Sequence, residues 1–202
     1  MTSKLLATSL VAAIAGTLLA AFPVRADDDA FGDLSDKEQA RIDRGEIVVQ
    51  VEKTSNALKH FRAVGQIKAP ASKVYAAFTD YARYPEIFKL KETHILSRKG
   101  NVLNVRAVLG LPWPIGDRWV TNATTLSPET LSFSYRRVEG TVLEYEGTIE
   151  VVPKGPRLSQ VYYAAKGDPG IPLLPTWLLN RFQESLLPDS IQRVRDYLGS
   201  ER

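Results

Sequence analysis

Hydrophobic positions along the chain switch between two spacings. Ser35 and Glu38 stand as a helix capping box with Leu34 in the staple position, which predicts a short helix to Arg44 closed by Gly45. Ile47, Val49 and Val51 then alternate with more polar neighbours, and beyond a turn at Asn56 a second strand is predicted from Phe61 to Lys68. Ala69-Pro70-Ala71-Ser72 stops that strand. Val74, Tyr75, Phe78, Tyr81 and Ala82 return to helical spacing until Tyr84-Pro85 breaks it, and Glu86 to Phe88 adds one further turn.

Beyond Leu90 the pattern is that of a β-meander. Strands are predicted near Glu92 to Arg98, Val102 to Leu109, Arg118 to Leu126, Leu131 to Val138, Thr141 to Val152 and Leu158 to Lys166. Turn signals separate them, and strands this close in sequence pair antiparallel. Gly167-Asp168-Pro169-Gly170 ends the run. From Pro172 or Pro175 a long helix is predicted to Leu198, with Trp177, Leu178, Phe182, Leu186, Ile191, Val194 and Leu198 at helical spacing. Pro188 inside it is expected to kink or split it.

Composition changes the picture mainly at the start. Lys4, an apolar run from Leu5 to Phe22, and Val24-Arg25-Ala26 before Asp27 have the parts of a secretory signal cut after Ala26. The run is rich in Ala, Gly and Thr and ends at Pro23, unlike the roughly 20 strongly apolar residues of a permanent anchor. The reading therefore divides the chain into a signal (1–26), an acidic segment with a short helix (27–45) and a globular domain (46–202), and places the product in the periplasm or outside the cell. Taking 26 residues from 202 leaves 176, the size of a single domain. Two of the 26 basic residues and none of the 23 acids precede the cut, so the mature charge is about +1. No basic stripe interleaved with aromatics is present, and nucleic acid is not an expected partner. The chain has no cysteine, which excludes thiol catalysis, Cys-ligated metal and a lipoprotein anchor.

Two strands, short helices, a run of antiparallel strands and a long terminal helix make the layout of a curved sheet gripping one helix. The residues themselves resemble the bacterial branch of the START and polyketide-cyclase (SRPBCC) superfamily. The resemblance is carried by Ile67-Lys68-Ala69-Pro70-Ala71-Ser72-Lys73-Val74-Tyr75 and Phe78-Thr79-Asp80-Tyr81-Ala82-Arg83-Tyr84-Pro85-Glu86, then by Gly116-Asp117-Arg118, Tyr145-Glu146-Gly147 and Gly167-Asp168-Pro169-Gly170-Ile171-Pro172. It spans Glu46 to Leu198 and implies an α+β helix-grip fold, a curved antiparallel β-sheet wrapped around a long C-terminal α-helix with a tunnel between them. The superfamily mostly binds hydrophobic small molecules or lipids, and a minority are cyclases, aromatases or hydrolases. A hydrophobic small molecule or lipid is accordingly the expected partner, with transient membrane contact, a monomeric state and no cofactor.

The terminal helix has more apolar residues than one stripe needs, so Trp177, Leu178, Phe182 and Leu186 are candidates to line the tunnel, and Arg181 to gate it. From periodicity alone an ordinary filled core explains them as well; the resemblance favours the tunnel. Phe88, Phe133, Tyr135, Tyr145 and Tyr163 are the candidates on the sheet side, the tyrosines with hydroxyls inward. Arg106 is a candidate for a ligand head group if its strand turns it inward; an exposed Arg106 has no such role. Trp113, in the apolar loop Leu109-Gly110-Leu111-Pro112-Trp113-Pro114-Ile115-Gly116, suits a lid or membrane-touching lip as well as it suits a cover over the sheet end, with Ile171 to Leu174 opposite.

The residues give little to catalysis. His60 and His94 have no carboxylate at helical spacing, metal-ligand spacings do not occur, and no nucleophile elbow, phosphate loop or dinucleotide fingerprint is present. Glu144, Glu146 and Glu150 alternate with Tyr145, Gly147, Ile149 and Val151, which assigns the acids to a solvated outer face. The expected function is an exported carrier of a hydrophobic molecule, the alternative a cyclase-, aromatase- or hydrolase-type enzyme in the same cavity. Polar groups converging inside the tunnel favour the enzyme; a uniformly apolar lining favours the carrier.

Overall fold

A computed structural model describes residues 31–53, 55–111, 113 and 116–200. The stretch read as an export signal, with its expected cut at Ala26, and Pro112, Pro114 and Ile115 of the apolar loop lie outside the described residues. The first described helix, α1 (Asp36–Asp43), begins with the capping box read from the sequence: Ser35 Oγ accepts from the Glu38 amide at 3.3 Å, and Glu38 accepts from the Ser35 amide at 2.8 Å. Glu38 is held below the usual carboxylate pKa range, first by its side-chain bond with Ser35.

Strands β1 (Val48–Val51) and β2 (Phe61–Ile67) form a hairpin. A helical crossing follows: α2 (Ala71–Thr79), a 3-10 turn (Tyr81–Arg83) and α3 (Tyr84–Phe88). The break predicted at Tyr84-Pro85 is a junction instead. Proline fits the first turn of a helix, where its missing N–H has no partner to lose, so α3 begins there. The meander consists of β3 (Glu92–Lys99), β4 (Val102–Leu109), β5 (Arg118–Ser127), β6 (Ser132–Gly140), β7 (Glu144–Gly155) and β8 (Leu158–Asp168).

All eight strands join one antiparallel sheet in the order β1-β2-β8-β7-β6-β5-β4-β3. Tight turns make each meander strand the neighbour of the next, and the hairpin closes on β8. The register shifts at Leu96, Val138 and Lys154, and such bulges sharpen the twist of the strand that contains them. The result is a curved sheet with α4 (Thr176–Ser200) against its inner face.

Cross-strand register settles the faces. Phe61, Ala63 and Ile67 look inward with Ala165, Tyr163 and Ser159, and so do Gly147, Ile149 and Val151, then Tyr135 and Phe133. These meet Val74 and Phe78 of α2 and Leu187, Ile191 and Val194 of α4 in one core. The outer face of β1, β2 and β8 is covered by α1, with Ile42, Val48 and Val64 buried together against Tyr162. Every residue of β2 except Gln66 is buried because helices cover both of its faces. Arg62, on this outer face, is buried between the Phe31 and Tyr162 rings with its Nε on Gln50 at 2.8 Å.

Pro188 does not split the terminal helix, which runs unbroken for 25 residues. Glu184, whose carbonyl loses its usual donor to Pro188, lies on the exposed side where water can serve it. No helix among the described residues is long and apolar enough to cross a membrane.

Candidate ligand-binding site

Eight aromatic side chains meet on or beside the inner face of the sheet. Tyr75 contacts Phe133, Phe133 contacts Tyr135, and the Tyr135 ring lies 4.8 Å from that of Tyr145. Phe78 stacks on Phe88, and the Tyr84 ring packs edge-on to Phe88 at 4.6 Å. Alternation places Phe133 and Tyr135 two apart on β6, while register brings Tyr163 level with Ile149, one pair from Tyr135 and Gly147. Gly147 makes this possible: a Cβ there would stand 2.6 Å from the Tyr135 hydroxyl and 2.5 Å from the Ala164 carbonyl.

The hydroxyls of Tyr135 and Tyr163 are hydrogen-bonded at 3.1 Å. Burial, with Tyr145 beside them, pushes both well above the ordinary tyrosine value. Tyr84 is raised in the same way by burial and donates to the Phe78 carbonyl at 2.6 Å. All three therefore stay neutral and protonated at physiological pH.

From the helix side, Gln183 enters the same region. It is 7 % exposed, its Oε1 accepts from the Gly167 amide at 2.7 Å, and its Nε2 is buried without a partner. Gly167 pairs with Tyr145 across β7 and β8, and a Cβ at Gly167 would touch the Tyr145 ring at 3.3 Å. Further along the sheet Asn122 is buried with its Oδ1 unpartnered, level with Val105. Neither histidine joins these groups. His60 packs edge-on to Phe31, and His94 bonds Glu92 at 2.9 Å on the edge strand β3. Glu144 and Glu146 face outward and pair with Lys166.

The sequence candidates thus divide. Phe88, Phe133, Tyr135, Tyr145 and Tyr163 come together on the inner side, with Leu178 half-buried at the start of α4. Trp177, Arg181, Phe182 and Leu186 are exposed on the other side of α4. The buried stripe of that helix is Leu179, Gln183, Leu187, Ile191 and Val194. A polar residue sits in its middle, so apolar spacing alone settles on the wrong phase. Gln183 was legible only as the member missing from the i, i+4 row from Leu179 to Ile191.

Arg106 also departs from the inward reading. Its register partners are His94 and Thr121, which puts it on the outer face, and its guanidinium lies 3.9 Å over the Trp119 ring. Trp113 is 92 % exposed in the β4–β5 loop.

Against known proteins, the family described as "Polyketide cyclase / dehydrase and lipid transport" matches residues 67–195, more than half of the chain. The chain belongs to this family. Its membership accounts for the path from the end of β2 through the tyrosine cluster into α4, all of which the match includes. Among solved structures, human STARD10 superposes with a TM-score of 0.65 at 15% identity, covering 83% of this chain and 81% of that one. A STAR-related lipid transfer protein from Xanthomonas axonopodis gives 0.61 at 16% identity, covering 83% and 97%. The Zhui aromatase/cyclase from Streptomyces sp. R1128 gives 0.57 at 17% identity, covering 70% and 92%. At such identities these likenesses establish the helix-grip fold, which hosts both transfer proteins and cyclases. No curated protein matches the chain.

Proposed function

We propose that this member of the polyketide cyclase and lipid-transport family is an exported, non-catalytic carrier that holds an apolar ligand between the sheet and α4. The observation that carries the reading is the chemistry of the inner face. Apart from Arg137, whose guanidinium is held by the Val142 and Gly140 carbonyls, the polar groups gathered there are tyrosines, Asn122, Thr124 and Gln183, all neutral. General acid–base catalysis is most efficient with a group whose pKa lies near the working pH. Burial moves Tyr135 and Tyr163 the other way, so they can hydrogen-bond a ligand but exchange protons poorly.

Loading through a lip fits the exposed apolar residues. Trp113 is exposed in its loop, as are Leu173 just before α4 and Trp177, Phe182 and Leu186 along its first half. Leu173 adopts a left-handed φ of 63°, a conformation costing a non-glycine residue on the order of 1 kcal/mol. An exposed leucine held in this conformation beside other exposed apolar residues supports transient membrane contact as part of this reading.

The tyrosine cluster also gives the enzyme reading an observation of its own, since converging hydroxyls can polarise a bound carbonyl. Native mass spectrometry of the purified protein, with solvent extraction of what it carries, separates the two. Uptake of an apolar molecule that is later recovered unchanged is expected. Failure to take up any apolar ligand sinks the carrier, and conversion of the bound molecule to a product assigns the site to an enzyme.

A further inference from the structure

Gln183 is an anomaly in the grip. A glutamine in the middle of a stripe of Leu179, Leu187, Ile191 and Val194 loses its hydration on folding, and one half of its amide is compensated by the Gly167 amide while the other is not. A buried donor without an acceptor costs about 1–3 kcal/mol, so a native position that keeps one calls for a partner beyond the chain. The Tyr135 and Tyr163 hydroxyls are bonded to each other with Tyr145 in reach of both, and because hydroxyl protons rotate, this group can also donate to a ligand.

Charge narrows what that partner is. Among the described residues the one fully buried charged side chain is Arg62, and it lies on the outer face under Phe31. Arg106 lies outside over Trp119, Arg181 is exposed, and the Arg137 guanidinium is taken up by the Val142 and Gly140 carbonyls. Arg137 faces inward level with Asn122, so an anionic head group would find neutral donors beside Gln183 and one cation already committed to two carbonyls, and a buried anion without a dedicated partner is far costlier than an unpaired dipole. A neutral carbonyl oxygen has the opposite balance, because it needs donors and no charge.

Building on the carrier reading, we infer that Gln183 selects the ligand: its Nε2, with the tyrosine hydroxyls, receives the carbonyl oxygen of an uncharged amphipathic molecule, an ester or ketone on an apolar body. The site discriminates against the corresponding carboxylate.

Displacement of the fluorescent probe N-phenyl-1-naphthylamine by methyl palmitate, palmitate and hexadecane tests this. The native protein should prefer methyl palmitate over both others by about tenfold, the value of one buried hydrogen bond. Gln183→Leu should erase the preference for the ester over hexadecane. Gln183→Glu keeps the acceptor for the Gly167 amide and, with hexadecylamine added as a further competitor, should shift the preference from methyl palmitate to the amine, which guards against a Leu variant that fails to fold. Equal displacement by all three molecules, tightest binding of palmitate, or an ester preference that survives Gln183→Leu would each overturn the inference while leaving the carrier intact. A protein that binds neither the probe nor any of the three overturns the carrier reading itself.

Discussion

Over its C-terminal half, α4 sets Leu187, Ile191 and Val194 into a core with Ala63, Ile67, Val74 and Val161, residues almost or wholly removed from solvent. Over its N-terminal half the same helix lays Leu179 and Gln183 beside Tyr145 and the end of β8, with Trp177, Phe182 and Leu186 left exposed. One half is an apolar clamp whose Leu187, Ile191 and Val194 side chains are closed off from solvent by their neighbours. The other leaves donors unused and apolar surface in water. Stability and binding draw on opposite qualities of packing, and the chain places them at the two ends of one helix. The clamp fixes the helix to the sheet, so the other end can stay incomplete without loss of the fold.

Alkaline pH should give the largest effect. Tyr84, Tyr135 and Tyr163 have folded-state pKa values raised above the ordinary 10.0, chiefly by burial. The folded state therefore holds these protons more tightly than the unfolded one. Their stabilising contribution is complete below about pH 10 and is lost as pH rises beyond it. Titration followed by tyrosinate absorbance and by circular dichroism should show these three ionising together with global unfolding. Ionisation well before the loss of helix would mean that the tyrosine end opens independently, which sharpens the contrast between the halves.

Next in size is Ile191→Ala, which removes a side chain with no exposed surface from the clamp. A loss of about 2–5 kcal/mol in urea denaturation is expected. Leu186→Ala, one turn away but 56 % exposed, should cost less than about 0.5 kcal/mol. Similar costs for the two would abolish the distinction drawn here.

Tyr135→Phe deletes one hydroxyl of the bonded pair and should cost about 1 kcal/mol, while weakening the binding of a carbonyl-bearing ligand. A variant with unaltered stability and unaltered binding would reduce the cluster to packing. Smallest in stability is Trp113→Ala, expected within about 0.5 kcal/mol because the indole is almost wholly exposed. Its effect belongs to kinetics: lipid transfer between vesicles should slow. Unchanged transfer would remove the loop from the loading path.

Much of this architecture can be read in the chain alone. The capping box at Ser35, the alternation in β6 and β7, the outward acids Glu144 and Glu146 and the long terminal helix follow from spacing, because helix and strand periods are properties of neighbouring residues. The aromatic candidates on β6, β7 and β8 were legible for the same reason, since alternation with outward acids assigns Tyr145 its side.

Which face of an element meets the core is a different kind of fact. Arg106 stands in a strand with polar and apolar residues on both sides, and only its pairing with His94 and Thr121 places it outside over Trp119. A shift of one residue would have turned it inward. On α4 each residue advances the phase by about 100°, so two apolar stripes one position apart compete, and the contact with β2 selects Leu187 and Ile191 over Leu186. Tertiary structure alone decided the place of Gln183, because a polar residue is buried by what closes over it and by the Gly167 amide it finds there, neither of which is near it in sequence.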